Sequence, residues 1–432
     1  MNDWRKQVLF YSIIAMMVSL FFSRVILSVC IMAFVIASFL HSDFKKHIRT
    51  FFSSPILWSM SLLFFLPLLS GLWSEDKKEW LDIVRIKLPL LFLPLGFAAP
   101  HDSYRDQFSK KEWEWLAFIF IALITAGTIW SMFHYVTNMS AVHEGYLRSK
   151  TIITPLKNDH VRFSWTITVA ILQAAWFCII KRKQDKLVGW ILLTITVWLI
   201  LFLHILAART GLVSFYILIF FIMLWLIFRK AKPLYAITLF VIVISLPLIA
   251  YFVLPTFENR VKYFLHDYTY FKDAHYLQGS NDAIRVISLK AGWNVVNGQP
   301  VKGVGFGDVL VETKKWYNIY YPQMIEDDKI YPSSEWLMYG AACGWPGLFL
   351  FAVAMIIPFL ISIKNKLLWV MLNATVAFSF LFDIGLEVQF GVFLYSFIVL
   401  WWWKWFGTSQ IVAVNGNKPA RETIRENDKA TM

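Results

Sequence analysis

The sequence predicts an all-α polytopic membrane protein of about 12 transmembrane helices, with one large, partly helical exocytoplasmic loop between spans nine and ten. Three observations carry that expectation. Of 432 residues, 58% are hydrophobic and only 16% charged, where a soluble domain usually carries about 25% charged. Apolar stretches of roughly 20 residues, long enough to cross a bilayer core, recur from end to end. Lysines and arginines gather in short polar segments that fall on one side when the stretches are counted off. The formal net charge of +13 therefore reads as an orientation signal and not as a polymer-binding patch, and no nucleic-acid partner is expected.

The N-terminus, Met1-Asn-Asp-Trp-Arg-Lys, leads into an apolar stretch without a small-residue cleavage site, so the first span is expected to stay. Val8 to His41 is too long for one span, and Ser23-Arg24 divides it into two short helices meeting at the outer face. Lys45, Lys46 and Arg49 mark the inside. Phe51 to Trp73 is the third span, and Ser74 to Glu79 lies outside. Trp80 to Pro100, the fourth, begins amphipathically with Asp82, Arg85 and Lys87, then turns apolar with Pro89 and Pro94. His101 to Glu112 is inside, Trp113 to Val136 is the fifth span, and Thr137 to His160 is an outer loop. Val161 to Ile180 is the sixth, followed inside by Lys181-Arg182-Lys183. Leu187 to Ala207 and Gly211 to Phe228 are the seventh and eighth, joined outside by Ala208-Arg209-Thr210. Arg229, Lys230 and Lys232 precede the ninth, Pro233 to Leu254. Leu337 to Ile363, Leu367 to Ile384 and Val388 to Phe406 complete the set, with Lys364 and Lys366 inside.

An even count places both termini in the cytoplasm and the long polar interval in the periplasmic space. The chain thus divides into residues 1–254 (spans one to nine), 255–336 (the outer loop that carries the candidate site), 337–406 (the last three spans) and 407–432, a polar tail without stable structure in the cytoplasm. Cys30, Cys178 and Cys343 lie in apolar stretches without ligand spacing, so neither a disulfide nor a metal is expected.

Candidate chemistry sits at the outer face. Arg209 occupies a tight link at the end of an apolar helix; an arginine at that depth marks a site or a paired charge, or snorkels to lipid headgroups. Arg285 lies on the flank of a helix whose apolar face is Ile284, Ile287, Ala291 and Val295, a place that also suits a plain solvated residue. Gly303-Val-Gly-Phe-Gly-Asp does not follow a strand and so is no dinucleotide or P-loop fingerprint. It reads as a tight turn with amides available to an anion. Ser333-Ser334-Glu335 opens the tenth span, where serine or glutamate also serves as a helix cap. Outer histidines 143, 160, 266 and 275 are candidates for proton transfer.

Three stretches together resemble the O-antigen ligase family, the superfamily that also holds O-antigen polymerases and pilin O-oligosaccharyltransferases. They are Ala207-Ala-Arg-Thr-Gly-Leu212 between paired helices; Arg285 followed by Trp293, Pro300 and Gly303-Val-Gly-Phe-Gly307; and Ser333-Ser-Glu-Trp-Leu337 with Gly344-Trp-Pro-Gly-Leu348. The resemblance implies that Arg209 and Arg285 bind the diphosphate of an undecaprenyl-linked glycan donor, a role that suits an always-charged bidentate guanidinium. It implies no cofactor, and membrane lipids and a lipid A–core or glycan acceptor as partners. The chain departs from the family at Ser333-Ser334, where a histidine is usual as the base for the acceptor hydroxyl. Serine does not serve unaided, so Glu335 or His275, with Ser333, are the catalytic candidates. Arg85, Lys87, His160, Arg162, Gly305 and Ser334 are candidates for further lining.

The expected activity is a glycan ligase of the bacterial inner membrane, with a polysaccharide polymerase of the same superfamily as the alternative. A twelve-span transporter or flippase is the reading from another class. It calls for paired ionisable residues near mid-membrane, and only His204, Asp383 and Glu387 offer themselves, all toward span ends. A non-catalytic scaffold is a third reading, which the missing histidine supports.

Overall fold

The computed structural model describes residues 3–40, 43–99, 108–148, 150–156, 159–229, 232–272 and 275–416. Among them there is helix and no strand. In order these are α1 (Asp3–Phe22), α2 (Arg24–Phe39), α3 (Phe44–Ser53), α4 (Pro55–Ser70), α5 (Lys77–Lys87), α6 (Pro89–Phe97), α7 (Lys110–Thr137), α8 (Met139–Leu147) and α9 (His160–Lys181). There follow α10 (Lys186–Leu206), α11 (Arg209–Phe228), α12 (Pro233–Val253), α13 (Pro255–Phe271), α14 (Asn281–Gly298), α15 (Val309–Tyr320), α16 (Glu335–Leu360), α17 (Lys366–Phe382) and α18 (Gln389–Gly416), with short 3-10 turns at Glu326–Asp328 and Gly385–Glu387.

Every expected span coincides with helix, but not every helix is a full crossing. Among the described residues seven are long and apolar enough to cross a membrane: α1, α7, α9, α10, α11, α12 and α16; α2 with α3 makes eight if that bent pair is one span. Helices α4 and α17 are apolar but shorter. The chain is thus an all-helical polytopic membrane protein.

Sequence breaks set the boundaries. Extended Ser23 separates α1 from α2 and caps the latter, its hydroxyl accepting from the Ile26 amide at 3.5 Å. The fourth expected span is not one helix: it divides at Leu88, just before Pro89, which has no N–H to continue the ladder. The last residue of that span, Pro100, and the start of the inner loop expected after it, residues 101–107, lie outside the described residues. Helix α18 continues to Gly416, ten residues into the stretch expected to lack structure, and 417–432 lie outside the described residues.

Burial distinguishes centre from rim. In α9, 78% of the apolar window is buried, against 6% in α12, so α9 is a central post and α12 a peripheral one. The interval 255–336 is largely helical. It packs through α13 on α8 and α10, and through α14 on α16.

The glycine-rich turn is the joint that locks this interval down. Gly303 and Gly305 have φ of +66° and +91°, a region open to glycine at little cost. Their close approach lets Val304 N and Gly305 N donate to Ala341 O and Ala342 O of α16 at 2.9 and 2.8 Å. Phe306 N and Gly307 N donate to the hydroxyls of Ser70 and Ser74 at 3.2 Å each. Asp308 then accepts from the amides of Glu75 and Asp76 at 2.6 and 3.0 Å. The amides expected to be open to an anion are committed to the protein itself, so Gly305 is a packing residue and not part of a cradle. Gly344, at φ +67°, kinks α16 and lets Trp345 N reach Pro300 O at 2.9 Å.

Candidate active site

Helix α14 carries the first cationic candidate to the segment before α16. Gly292 allows the contact: a Cβ there would lie 2.6 Å from Cβ of Pro332. With the helix this close, Ser288 Oγ donates to Ser333 Oγ at 2.9 Å and accepts from Ser333 N at 3.1 Å. One turn earlier, Arg285 enters a cleft of about 430 Å³ shared with Leu310, Lys329, Tyr331, Ser333 and Asp383. Arg285 makes no side-chain hydrogen bond or ion pair to any described residue. Lys329 is occupied, by Asn318 at 2.6 Å and Glu326 at 2.5 Å.

Beneath the cleft is a set of charges buried where four segments end. Arg162, in the first turn of α9, holds Asp383 Oδ2 at 2.9 Å and donates to Ile384 O at 3.1 Å. Lys87, at the end of α5, is fully buried, 2.6 Å from Glu387 Oε1 and 3.0 Å from Leu386 O. Its ammonium also stands over the rings of Phe306 and Tyr339 at 5.2 and 5.1 Å. Glu335 opens α16 with its amide on Asp383 O at 3.3 Å. Its Oε1 accepts from the Leu386 amide, while Oε2 is buried without a partner among the described residues. The capping alternative for these residues fails: Ser334, at the N-cap, makes no side-chain cap bond and donates to Phe380 O at 3.3 Å instead.

Arg209 is held one turn away along α14, paired with Asp282 Oδ1 and lying 5.1 Å from the centroid of Phe264. Asp282 and Arg285, three residues apart, are neighbours on one helix face, at about 5–6 Å between Cβ atoms. Arg209 does not itself line the Arg285 cleft; it retains 36% exposure, with most of its N–H donors beyond the single bond to Asp282. Arg260 stands beside this pair, over the ring of Tyr146 at 5.9 Å. Burial, and after it the like charge of Arg209, push the Arg260 guanidinium below its ordinary value.

Several expected residues stand apart. His275 is exposed on the connection from α13 to α14 and does not line the cleft. Arg85 points to solvent and pairs with Asp82 at 3.0 Å. His160 begins α9 and does not line the cleft either. Lys87 and Arg162 lie beneath the cleft as ion-pair members, and Ser334 faces away from it. Asp282, Arg260 and Lys329 escaped the sequence reading. For Asp282 a signal was present, an acidic residue one turn before a candidate arginine on the same face. Asp383 and Glu387 had been weighed only as relay groups, yet both sit at span ends against cations, which is not the mid-helix arrangement a relay needs.

No curated protein matches the chain. Residues 194–352, from within α10 to within α16, match the family model described as O-antigen ligase, so this part of the chain is similar to that family.

Proposed function

We propose that this protein transfers a glycan from a polyprenyl diphosphate carrier to an acceptor hydroxyl at the periplasmic face of the bacterial inner membrane. The observation that carries the reading is Arg285, an always-charged group that lines a roomy cleft without a side-chain hydrogen bond or ion pair to any described residue. A planar guanidinium in that state suits phosphate oxygens; Arg209, at the start of α11 and paired with Asp282 one turn before Arg285, is the group we assign to the second phosphoryl group. Together they stabilise the charge that grows on the diphosphate as the bond from the sugar C1 to the phosphate oxygen breaks.

The acceptor oxygen forms the new bond to C1, and its proton goes to a carboxylate. Glu335 is the group we assign: it is fully buried behind the cleft, its amide on the carbonyl of the cleft-lining Asp383, and its Oε2 has no hydrogen-bond partner among the described residues. His275, exposed on the connection from α13 to α14, is the alternative base. The twelve-span topology with both ends cytoplasmic belongs to the same proposal. It is supported by the meeting on one face of α5, the first turn of α9, the α10–α11 link, α13 to α15 and the α17–α18 link.

Between acceptors, lipid A–core is preferred to a second lipid-linked repeat. The deciding experiment is deletion of the gene, followed by gel analysis of lipopolysaccharide. Loss of all long chains from the core, with lipid-linked polymer accumulating, is the expected result. A core bearing a single repeat would mean polymerisation instead, and an unchanged ladder would overturn glycan transfer.

A further inference from the structure

A second cleft, of about 530 Å³, lies on the other side of Ser333-Ser334 and contains none of the residues assigned to the donor or the base above. It is lined by Val286, Lys290, Trp293, Asn294, Asn297 and Trp316. The two clefts share a wall one residue thick. Arg285, Ser333 and Phe382 line the first; their chain neighbours Val286, Ser334 and Leu381 line the second.

The chemistry of the second cleft differs from that of the first. Val286, Lys290, Trp293 and Asn297 form one stripe of α14. Trp293 is 50% exposed and pinned by the edge of Trp345, at 5.6 Å between centroids and 84° between planes. Trp316 stands opposite, itself packed against Tyr320 and Tyr321 at 4.8 and 5.6 Å. Asn297 donates to Trp293 O at 3.0 Å, which fixes its amide and leaves its oxygen available. Asn294 has no side-chain partner among the described residues. Broad, rigid aromatic surface beside side-chain amides fits the alternating C–H faces and hydroxyl edges of a sugar ring. A lipid tail would leave the amides and Lys290 unmatched.

We propose that this second cleft is a saccharide subsite, seating a sugar chain so that its reacting end meets the donor diphosphate over Ser333 and Ser334. The identity of the neighbouring cleft rests on the function proposed above, whereas the sugar chemistry of this one does not. The same chemistry suits the acceptor's core sugars and the polymer's repeat unit.

The test needs no turnover. The full chain in lipid nanodiscs is mixed with oligosaccharides released by mild acid from the host's lipopolysaccharide, the core fraction and the polymer fraction separately, and binding is read by saturation-transfer NMR. Binding of either fraction is expected; the core fraction identifies an acceptor seat and the polymer fraction a repeat-unit seat. Trp293→Ala is expected to weaken binding ~10-fold, Trp293→Phe to keep most of it, and the Asn294→Ala/Asn297→Ala double variant to weaken it without altering detergent stability. Arg285→Ala is expected to bind the sugar as the parent does. Binding of neither fraction, or undiminished binding by Trp293→Ala, overturns the subsite. Sugar binding that survives when no glycan transfer is found leaves the subsite standing while the transferase reading falls.

Discussion

The ammonium of Lys87 lies 2.6 Å from Glu387 Oε1, although 300 residues of chain separate the two. Their side chains are 0% and 8% exposed, so neither charge is solvated and each depends on the other. Removing one member of a buried pair typically costs about 3–5 kcal/mol, whereas replacing both by apolar groups of similar volume is often neutral. Lys87→Met alone is therefore expected to lower the thermal midpoint of the purified protein sharply. Lys87→Met with Glu387→Leu should restore much of it. A double variant as unstable as the single one would show that the pair does more than neutralise itself.

Arg285 invites the opposite expectation. It has no hydrogen bond or ion pair among the described residues to lose, only a longer-range attraction to Asp383, so Arg285→Ala should leave stability within about 1 kcal/mol of the parent while abolishing transfer. Arg285→Lys keeps the charge but loses the planar fork, and is expected to retain a few per cent of activity at most. Measuring melting temperature and glycan transfer on the same preparations separates the two effects. A large fall in melting temperature for Arg285→Ala would mean a structural residue.

Gly305 separates packing from chemistry in the glycine-rich turn. A Cβ there would lie 2.2 Å from Ser74 Oγ and 2.9 Å from Ser74 Cα, at φ +91°. Strain and overlap together make Gly305→Ala destabilising by about 2–4 kcal/mol. Folded yield should fall, and the fraction that folds should retain its affinity for a diphosphate donor. Normal yield with selective loss of donor binding would restore the anion-cradle reading.

Tyr331 supplies a pH dependence. Burial first, then its hydrogen bond to Glu79 at 2.5 Å, raise the phenol above its ordinary value near 10. A group whose folded value is raised contributes stability that is complete below the unfolded value and is lost as pH rises above it. Melting temperature should therefore fall above about pH 10 more steeply in the parent than in Tyr331→Phe. Parallel curves would remove Tyr331 from the account.

Much of the scaffold was legible because its signals are local. Ser23 after an apolar stretch, the Arg209 link between two spans and the proline-led start of α12 each report on their own neighbours in sequence. The fourth span was misjudged for the same reason: apolar length suggested continuity, and Pro89 decided otherwise. Of the candidate site, the sequence offered the cations and the Ser333-Ser334-Glu335 segment, but not the partners that hold them. Arginines at the interface are conspicuous in an apolar chain, but their partners are set by packing between distant segments. Nothing near Lys87 points to Glu387, and nothing near Arg162 points to Asp383. The glycine turn misled because flexible backbone looks alike whether it cradles a ligand or another helix; only the acceptors of its amides tell the two apart.

Glu335 is the remaining test of chemistry. Its Oε1 holds the Leu386 amide and its Oε2 has no described partner, so Glu335→Gln preserves volume and one acceptor while removing the proton-accepting function. Transfer should fall by about 10²–10⁴-fold, the usual contribution of a general base, with donor affinity little changed. Asp383→Asn, by contrast, releases Arg162 from its 2.9 Å partner and should impair folding as well as transfer. His275→Ala should leave both as they are, since that side chain is exposed and outside the cleft. If Glu335→Gln transfers normally and His275→Ala does not, the proton leaves by the α13–α14 connection, and Glu335 behind the cleft wall at Asp383 is structural.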